Sequence, residues 1–91
     1  MADEDRLYAT IYRLDRLADD YWGVRDTHGV RALRAVNDGL EVTVGRLLRR
    51  ELRRSGKHPA VVCESRDWAD LRRAFSRVYH ARAAAEDRVG R

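Results

Sequence analysis

The stretch VRALRAVNDGLEVTVGRLLRRELRR, from Val30 to Arg54, carries the longest helical pattern in the chain. Its large apolar residues recur at steps of three and four, which predicts a helix with one apolar stripe about 100° wide. The stripe consists of Val30, Leu33, Val36, Leu40, Val44, Leu47, Leu48 and Leu52. We therefore expect a long central helix that packs against the segments on both sides of it.

Two glycines interrupt this pattern, because Gly39 and Gly45 each cost about 1 kcal/mol relative to alanine in a helix. A break near Gly39 would leave two shorter helices, at about 28–37 and 40–54. A single helix is favoured, since the apolar stripe keeps its phase through both glycines.

Helices are also predicted on both sides of the central one. Apolar residues at helical spacing predict a first helix over about 5–21 and a third over about 66–88. Thr27 is the expected N-cap of the central helix, and Ser65 that of the third. The short apolar run 60–63 is interpreted as a seal over one end of the core, with a short strand as the alternative.

The chain is therefore predicted to be all-α, a small three-helix bundle with a long central helix, or a four-helix bundle if that helix breaks. Residues 1–91 are expected to form a single helical domain. The alanines Ala81 and Ala83 to Ala85 predict a slender end of the third helix that projects or frays. Because so short a chain has a thin core, self-association as a homodimer is expected to add buried surface.

Several features predict a cytoplasmic protein without a membrane partner. No apolar run approaches the length of a membrane span, and the acidic start, Met1 to Asp5, lacks a signal-peptide core. The single cysteine, Cys63, cannot form an internal disulfide, which agrees with a reducing compartment.

The charges are unevenly distributed along the chain. The net charge is +4, but eighteen of the nineteen basic residues are arginine, a bias that a GC-rich genome can impose by itself. Up to Asp26 the chain holds seven acids and four bases, whereas residues 27–63 hold eight bases and three acids. The sequence thus predicts an acidic first third and a basic middle.

The basic middle predicts an arginine-rich pole, which forms if the second and third helices pack antiparallel. Arginine forks match phosphate oxygens, so the backbone phosphates of a nucleic acid are one candidate ligand. The candidate residues are Arg46, Arg49, Arg50, Arg53, Arg54, Lys57, Arg72 and Arg73, with Arg66 and Arg77 nearby. The alternative is a solvated helix face, in which Glu51, Asp67 and Asp70 pair with some of these charges.

A second candidate surface is aromatic. Aromatic side chains together with arginine are common at protein interfaces. The candidate partner-binding residues are Tyr8, Tyr12, Trp22 and Tyr79, with Leu17 and Trp68 nearby. The alternative is that these side chains complete the small core, and this alternative is favoured for Trp22 and Trp68.

A third candidate site pairs Arg73 with His80 on the third helix, and six residues lie between them. This spacing resembles the Arg-x4-6-His pattern of the HEPN ribonucleases, small helical proteins in which dimerisation brings such pairs together to cleave RNA. The resemblance covers one helix and two residues. It implies metal-independent transesterification, with His80 in acid-base work and Arg73 stabilising the charge on phosphorus.

No metal or cofactor site is predicted. His28, His58, Cys63 and His80 are chemically able to bind a metal, but they lack the paired short loops of structural zinc sites. There is no glycine-rich phosphate loop, nucleophile elbow or paired-carboxylate arrangement.

The function that the sequence favours is a small non-catalytic binding or regulatory module, such as a phage-type accessory protein, that presents a charged surface to a protein partner. Nucleic-acid binding is the alternative, and RNA cleavage a further one. A protein partner is preferred because the acidic first third would repel a phosphate backbone.

Overall fold

The computed structural model describes residues 2–90 of the chain, with side chains from residue 4 onward. This part is all-α, as predicted, and it contains no strand. The four helices are α1 (Ala2–Gly23), α2 (Thr27–Ser55), α3 (Pro59–Glu64) and α4 (Arg66–Val89).

Helix α2 runs without a break through Gly39 and Gly45, which confirms the single central helix. It ends at Gly56, whose φ of 68° is the left-handed conformation that glycine adopts without strain. The cap at the other end is Asp26 rather than Thr27, because its Oδ1 accepts a hydrogen bond of 2.6 Å from the backbone N–H of Gly29.

The fourth helix arises after α2 and not from a break within it. Pro59 starts α3, where its fixed φ suits the first turn, and His58 Nδ1 accepts a hydrogen bond of 3.1 Å from the Ala60 N–H. The segment interpreted as a seal or a short strand is therefore helical, and it buries Val62. Ser65 stands at the start of α4, but its hydroxyl donates to the Val62 carbonyl instead of capping α4.

Helices α1 and α4 run parallel and form the most extensive helix pair. Near their N-terminal ends the Tyr8 hydroxyl bonds to Asp67. At the C-terminal ends Arg88 Nη2 donates to the carbonyls of Tyr21, at 3.0 Å, and Val24, at 2.7 Å. Carbonyls at the end of a helix lack partners within it, so Arg88 satisfies two groups that would otherwise need water.

Alanines line the α1 side of α4. Ala74, Ala81 and Ala85 are 0% exposed, and Ala18 of α1 is 4% exposed. Side chains this small allow two helices to approach closely, which agrees with α1 and α4 forming the most extensive pair. Their burial also corrects the expectation that the C-terminal half of α4 projects or frays.

Helix α2 is covered mainly on one side, by α1, and it makes few close contacts with α4. Within the apolar stripe Val30, Leu40 and Leu47 are buried, several others are partly buried, and Val36 is 52% exposed. The helix that contacts both neighbours extensively is therefore α1, and the expectation that α2 holds this position is wrong. The result is an elongated molecule of 47 × 20 × 15 Å.

Replacing Leu14 with alanine is expected to lower the free energy of unfolding by about 3 kcal/mol, because the side chain is fully buried and its loss leaves a cavity. Leu33→Ala makes the same chemical change at a partly buried position of α2. It is expected to cost about half as much. Urea unfolding of both variants would measure the two losses, and a larger loss at Leu33 would contradict the described core.

Replacing Tyr21 with phenylalanine is expected to stabilise the fold by about 1 kcal/mol. The side chain is 0% exposed, and its hydroxyl has no hydrogen-bond partner within residues 2–90. Burial raises the pKa of Tyr21 above 10.0, so the unfolded chain loses this proton before the folded chain does. The free energy of unfolding of the wild type should therefore fall as the pH rises past the usual tyrosine pKa. The free energy of unfolding of Tyr21→Phe should fall less over the same range.

Thermal unfolding near neutral pH and above pH 10 would measure both effects of the Tyr21 substitution. A destabilised phenylalanine variant at neutral pH would show that the hydroxyl is satisfied after all.

Candidate functional site

One side of α1 carries exposed aromatic rings and two aspartates, a set that we call the acidic–aromatic flank. Its members follow one another at steps of four and three, so they lie on one side of the helix. The set is Tyr8, Tyr12, Asp15, Asp19 and Trp22. The three rings are 48%, 62% and 54% exposed in chain order, so the core interpretation is wrong for Trp22.

Two rings of this flank are held by hydrogen bonds at their hydroxyls. The Tyr8 hydroxyl donates to Asp67 Oδ1 at 3.0 Å, and this bond raises the pKa of Tyr8. The Tyr12 hydroxyl accepts a hydrogen bond of 3.3 Å from Arg16 Nη1. These bonds anchor the phenols while much of each ring stays accessible to solvent.

A groove of ≈ 350 Å³ between α1 and α4 adjoins the flank. Its lining residues are Asp15, Ala18, Asp19, Trp22, Arg77 and His80. Asp15 forms an ion pair with Arg77, whereas Asp19 makes no hydrogen bond or ion pair with any residue that the structure describes. The groove can therefore offer a carboxylate beside an indole ring, an arrangement that suits a cation.

Arg73 and His80 are both exposed on one side of α4, two turns apart. Arg73 forms an ion pair with Asp70. His80 lines the α1–α4 groove, and its ring meets the Tyr79 ring edge-on with centroids 5.5 Å apart. Arg73 is not among the residues that line this groove.

Tyr79 lies apart from the other partner-binding candidates. It is 67% exposed at the edge of a groove of ≈ 400 Å³ between α2 and α4. The groove is also lined by Asn37, Glu41, Phe75, Val78 and Arg82. Asn37, which was not predicted from the sequence as a site residue, is buried within the apolar stripe and donates to Glu41 Oε1 at 3.0 Å.

Two of the basic candidates on α4 are paired within the chain. Arg73 pairs with Asp70, and Arg77 pairs with Asp15 on the α1 side of α4. The remaining candidates are exposed and comprise Arg46, Arg49, Arg50, Arg53 and Arg54 on α2, Lys57 after it, and Arg72 on α4.

Three of these exposed arginines follow one another on α2 at steps of three and four, so they form a strip along one side of the helix. Arg46, Arg49 and Arg53 make no ion pair or hydrogen bond with the described part of the chain, whereas Arg54 pairs with Glu51. We call these three residues the basic strip. Their guanidinium groups are available to an anionic ligand.

Over residues 2–90 no group of three or more His, Cys, Asp or Glu side chains is placed to hold a metal ion. None of the described helices combines the length and the apolarity that crossing a membrane would require.

Trp68, which is 9% exposed, belongs to the core as favoured from the sequence.

Comparison of the chain with protein-family models, with curated proteins and with solved structures finds no match.

Proposed function

We propose that the chain is a small helical module that binds a basic segment of another protein through the acidic–aromatic flank. The observation that carries this proposal is the row of three half-exposed aromatic rings on α1, beside the carboxylate of Asp19. Exposed aromatic side chains in such a row are typical of binding surfaces, where Tyr and Trp supply most of the energy.

The chemistry of the flank favours a partner that carries arginine or lysine. A cation can contact the face of the Trp22 indole and the carboxylate of Asp19 at the same time. The hydroxyl bonds of Tyr8 and Tyr12 restrict the motion of those rings before a partner arrives, which reduces the entropy lost on binding.

Replacing both Tyr12 and Trp22 with alanine is expected to abolish capture of the partner, since this double variant lacks two of the three aromatic rings. Affinity capture from an extract of the source organism would compare this variant with the wild type. Val42→Ala is the matched control, because Val42 is 52% exposed on α2 and lies outside the flank.

Proteins held by the wild type and by Val42→Ala, but released by the double variant, would support the proposal. Identical captured sets for all three baits would overturn it. Circular dichroism of each bait would establish that the helices are intact.

Nucleic-acid binding through the basic strip is the second candidate, and one observation favours it. The basic strip lies on α2, whereas the acidic–aromatic flank lies on α1. The bundle is 15 to 20 Å across its two shorter directions, whereas surface charges are screened over about 8 Å at physiological salt. The objection that acidic residues would repel a phosphate backbone is therefore weaker in the folded protein.

If the basic strip binds DNA, the logarithm of the association constant should fall with the logarithm of salt concentration with a slope of about −3, one unit for each arginine. Arg46→Gln is expected to reduce this slope by about one unit. Arg73→Gln is the control, because Arg73 already pairs with Asp70. Fluorescence anisotropy with random duplex DNA would measure the slopes, and no binding at low salt would exclude this candidate.

We also propose that the chain self-associates and acts in the cytoplasm. The thin core and the half-covered α2 support the first statement, since association would bury more apolar surface. The free thiol of Cys63 supports the second, because unpaired cysteines are common in reducing compartments.

A further inference from the structure

We propose that the face formed by α2 and α4 binds a second copy of the chain, in an antiparallel two-fold arrangement that crosses at Gly45. This inference rests on the proposed self-association and specifies its surface and symmetry. The surface differs from the acidic–aromatic flank, which stays open to another partner, but it includes Arg49 of the basic strip.

The chain exposes more surface than a compact chain of its mass, by an amount comparable to one side of a dimer interface. The chain exposes 6347 Å², whereas a compact monomer of 10.6 kDa is expected to expose about 5500 Å². The excess of roughly 850 Å² is close to the ~800 Å² that each partner contributes to a standard protein interface. The radius of gyration of 14.4 Å likewise exceeds the ~12 Å of a compact chain of this length.

The groove between α2 and α4 is lined in part by Phe75, which is only partly buried. Leu48 and Leu52 follow Glu41 by seven and eleven residues, on the same side of α2, and both are only partly buried. Tyr79 stands 67% exposed at the edge of the groove. A second copy laid over this face would cover all four side chains.

Gly45 marks the point of closest approach. It lies in the middle of α2, where glycine costs about 1 kcal/mol relative to alanine. A Cβ atom at Gly45 would meet nothing within 4 Å, so the fold of the single chain does not require glycine there. A neighbouring backbone can approach closely at a residue without a side chain.

The charges beside Gly45 favour the antiparallel orientation. Glu41 precedes Gly45 by four residues and Arg49 follows it by four, on the same side of α2. A two-fold axis at Gly45 with antiparallel α2 helices places Glu41 of each copy beside Arg49 of the other. Parallel helices would instead bring like charges together.

Both charged groups are available for this pairing. Arg49 makes no hydrogen bond or ion pair within the part of the chain that the structure describes. Glu41 accepts from Asn37 through Oε1 only. Each dimer would therefore contain two equivalent Glu41–Arg49 pairs.

Charge reversal tests the orientation. Glu41→Arg and Arg49→Glu each create two like-charge contacts, and each should raise the dimer dissociation constant about tenfold or more. Combining both changes restores opposite charges, so the double variant should return to within about threefold of the wild type. Arg13→Glu is the control for net charge, because Arg13 lines the groove between α1 and α2, and it should leave the dimer unchanged.

Glycine substitution tests the crossing point. Gly45→Gln and Gly39→Gln both replace an open helical glycine with a better helix former, so both should raise the melting temperature of the monomer. Gly39 borders the groove between α1 and α2 instead of the proposed face. Only Gly45→Gln should weaken the dimer.

Sedimentation equilibrium over a range of concentrations would measure all of these constants. A wild-type chain that stays at 10.6 kDa at the highest concentration would overturn both the self-association and this surface. A wild-type dimer that tolerates the charge reversals and Gly45→Gln would overturn only the surface.

Discussion

Close packing of α1 against α4 is the constraint on which the rest of the structure depends. Ala74, Ala81 and Ala85 present no side chain beyond Cβ, so α1 approaches α4 more closely than leucine would allow. Arg88 completes this pairing at the C-terminal end of α1 by bonding to two carbonyls. Since α1 also packs against α2, the third pair of helices, α2 and α4, is left with a groove.

Both proposed surfaces follow from this arrangement. The side of α1 that faces neither α2 nor the core keeps its aromatic rings half exposed, and the groove leaves leucines of α2 half covered. The two surfaces use different faces, so a two-fold dimer through α2 and α4 would present two acidic–aromatic flanks. Two flanks on one particle would bind a partner with repeated basic segments more tightly than one flank does.

The sequence predicted the helices well because helical periodicity is a local property. The extent of α2, its continuity through Gly39 and the position of α4 followed from residues three and four apart. Which helices pair could not be predicted in the same way. Leucines and valines dominate a sequence pattern, whereas alanines decide how closely two helices approach. The role of Ala81 was therefore misinterpreted. Exposure of Trp22 was missed for a related reason, since its surroundings depend on how α1 meets α4.

The most direct test of this account is the set of nuclear Overhauser effects from the methyl groups of Ala74, Ala81 and Ala85 in solution. Close packing of α1 against α4 predicts that these methyl groups are shielded from water. It also predicts strong effects between them and side chains of α1, among them those of Leu14 and Ala18. Effects from these methyls to α2 alone, or to no other helix, would contradict the pairing of α1 with α4.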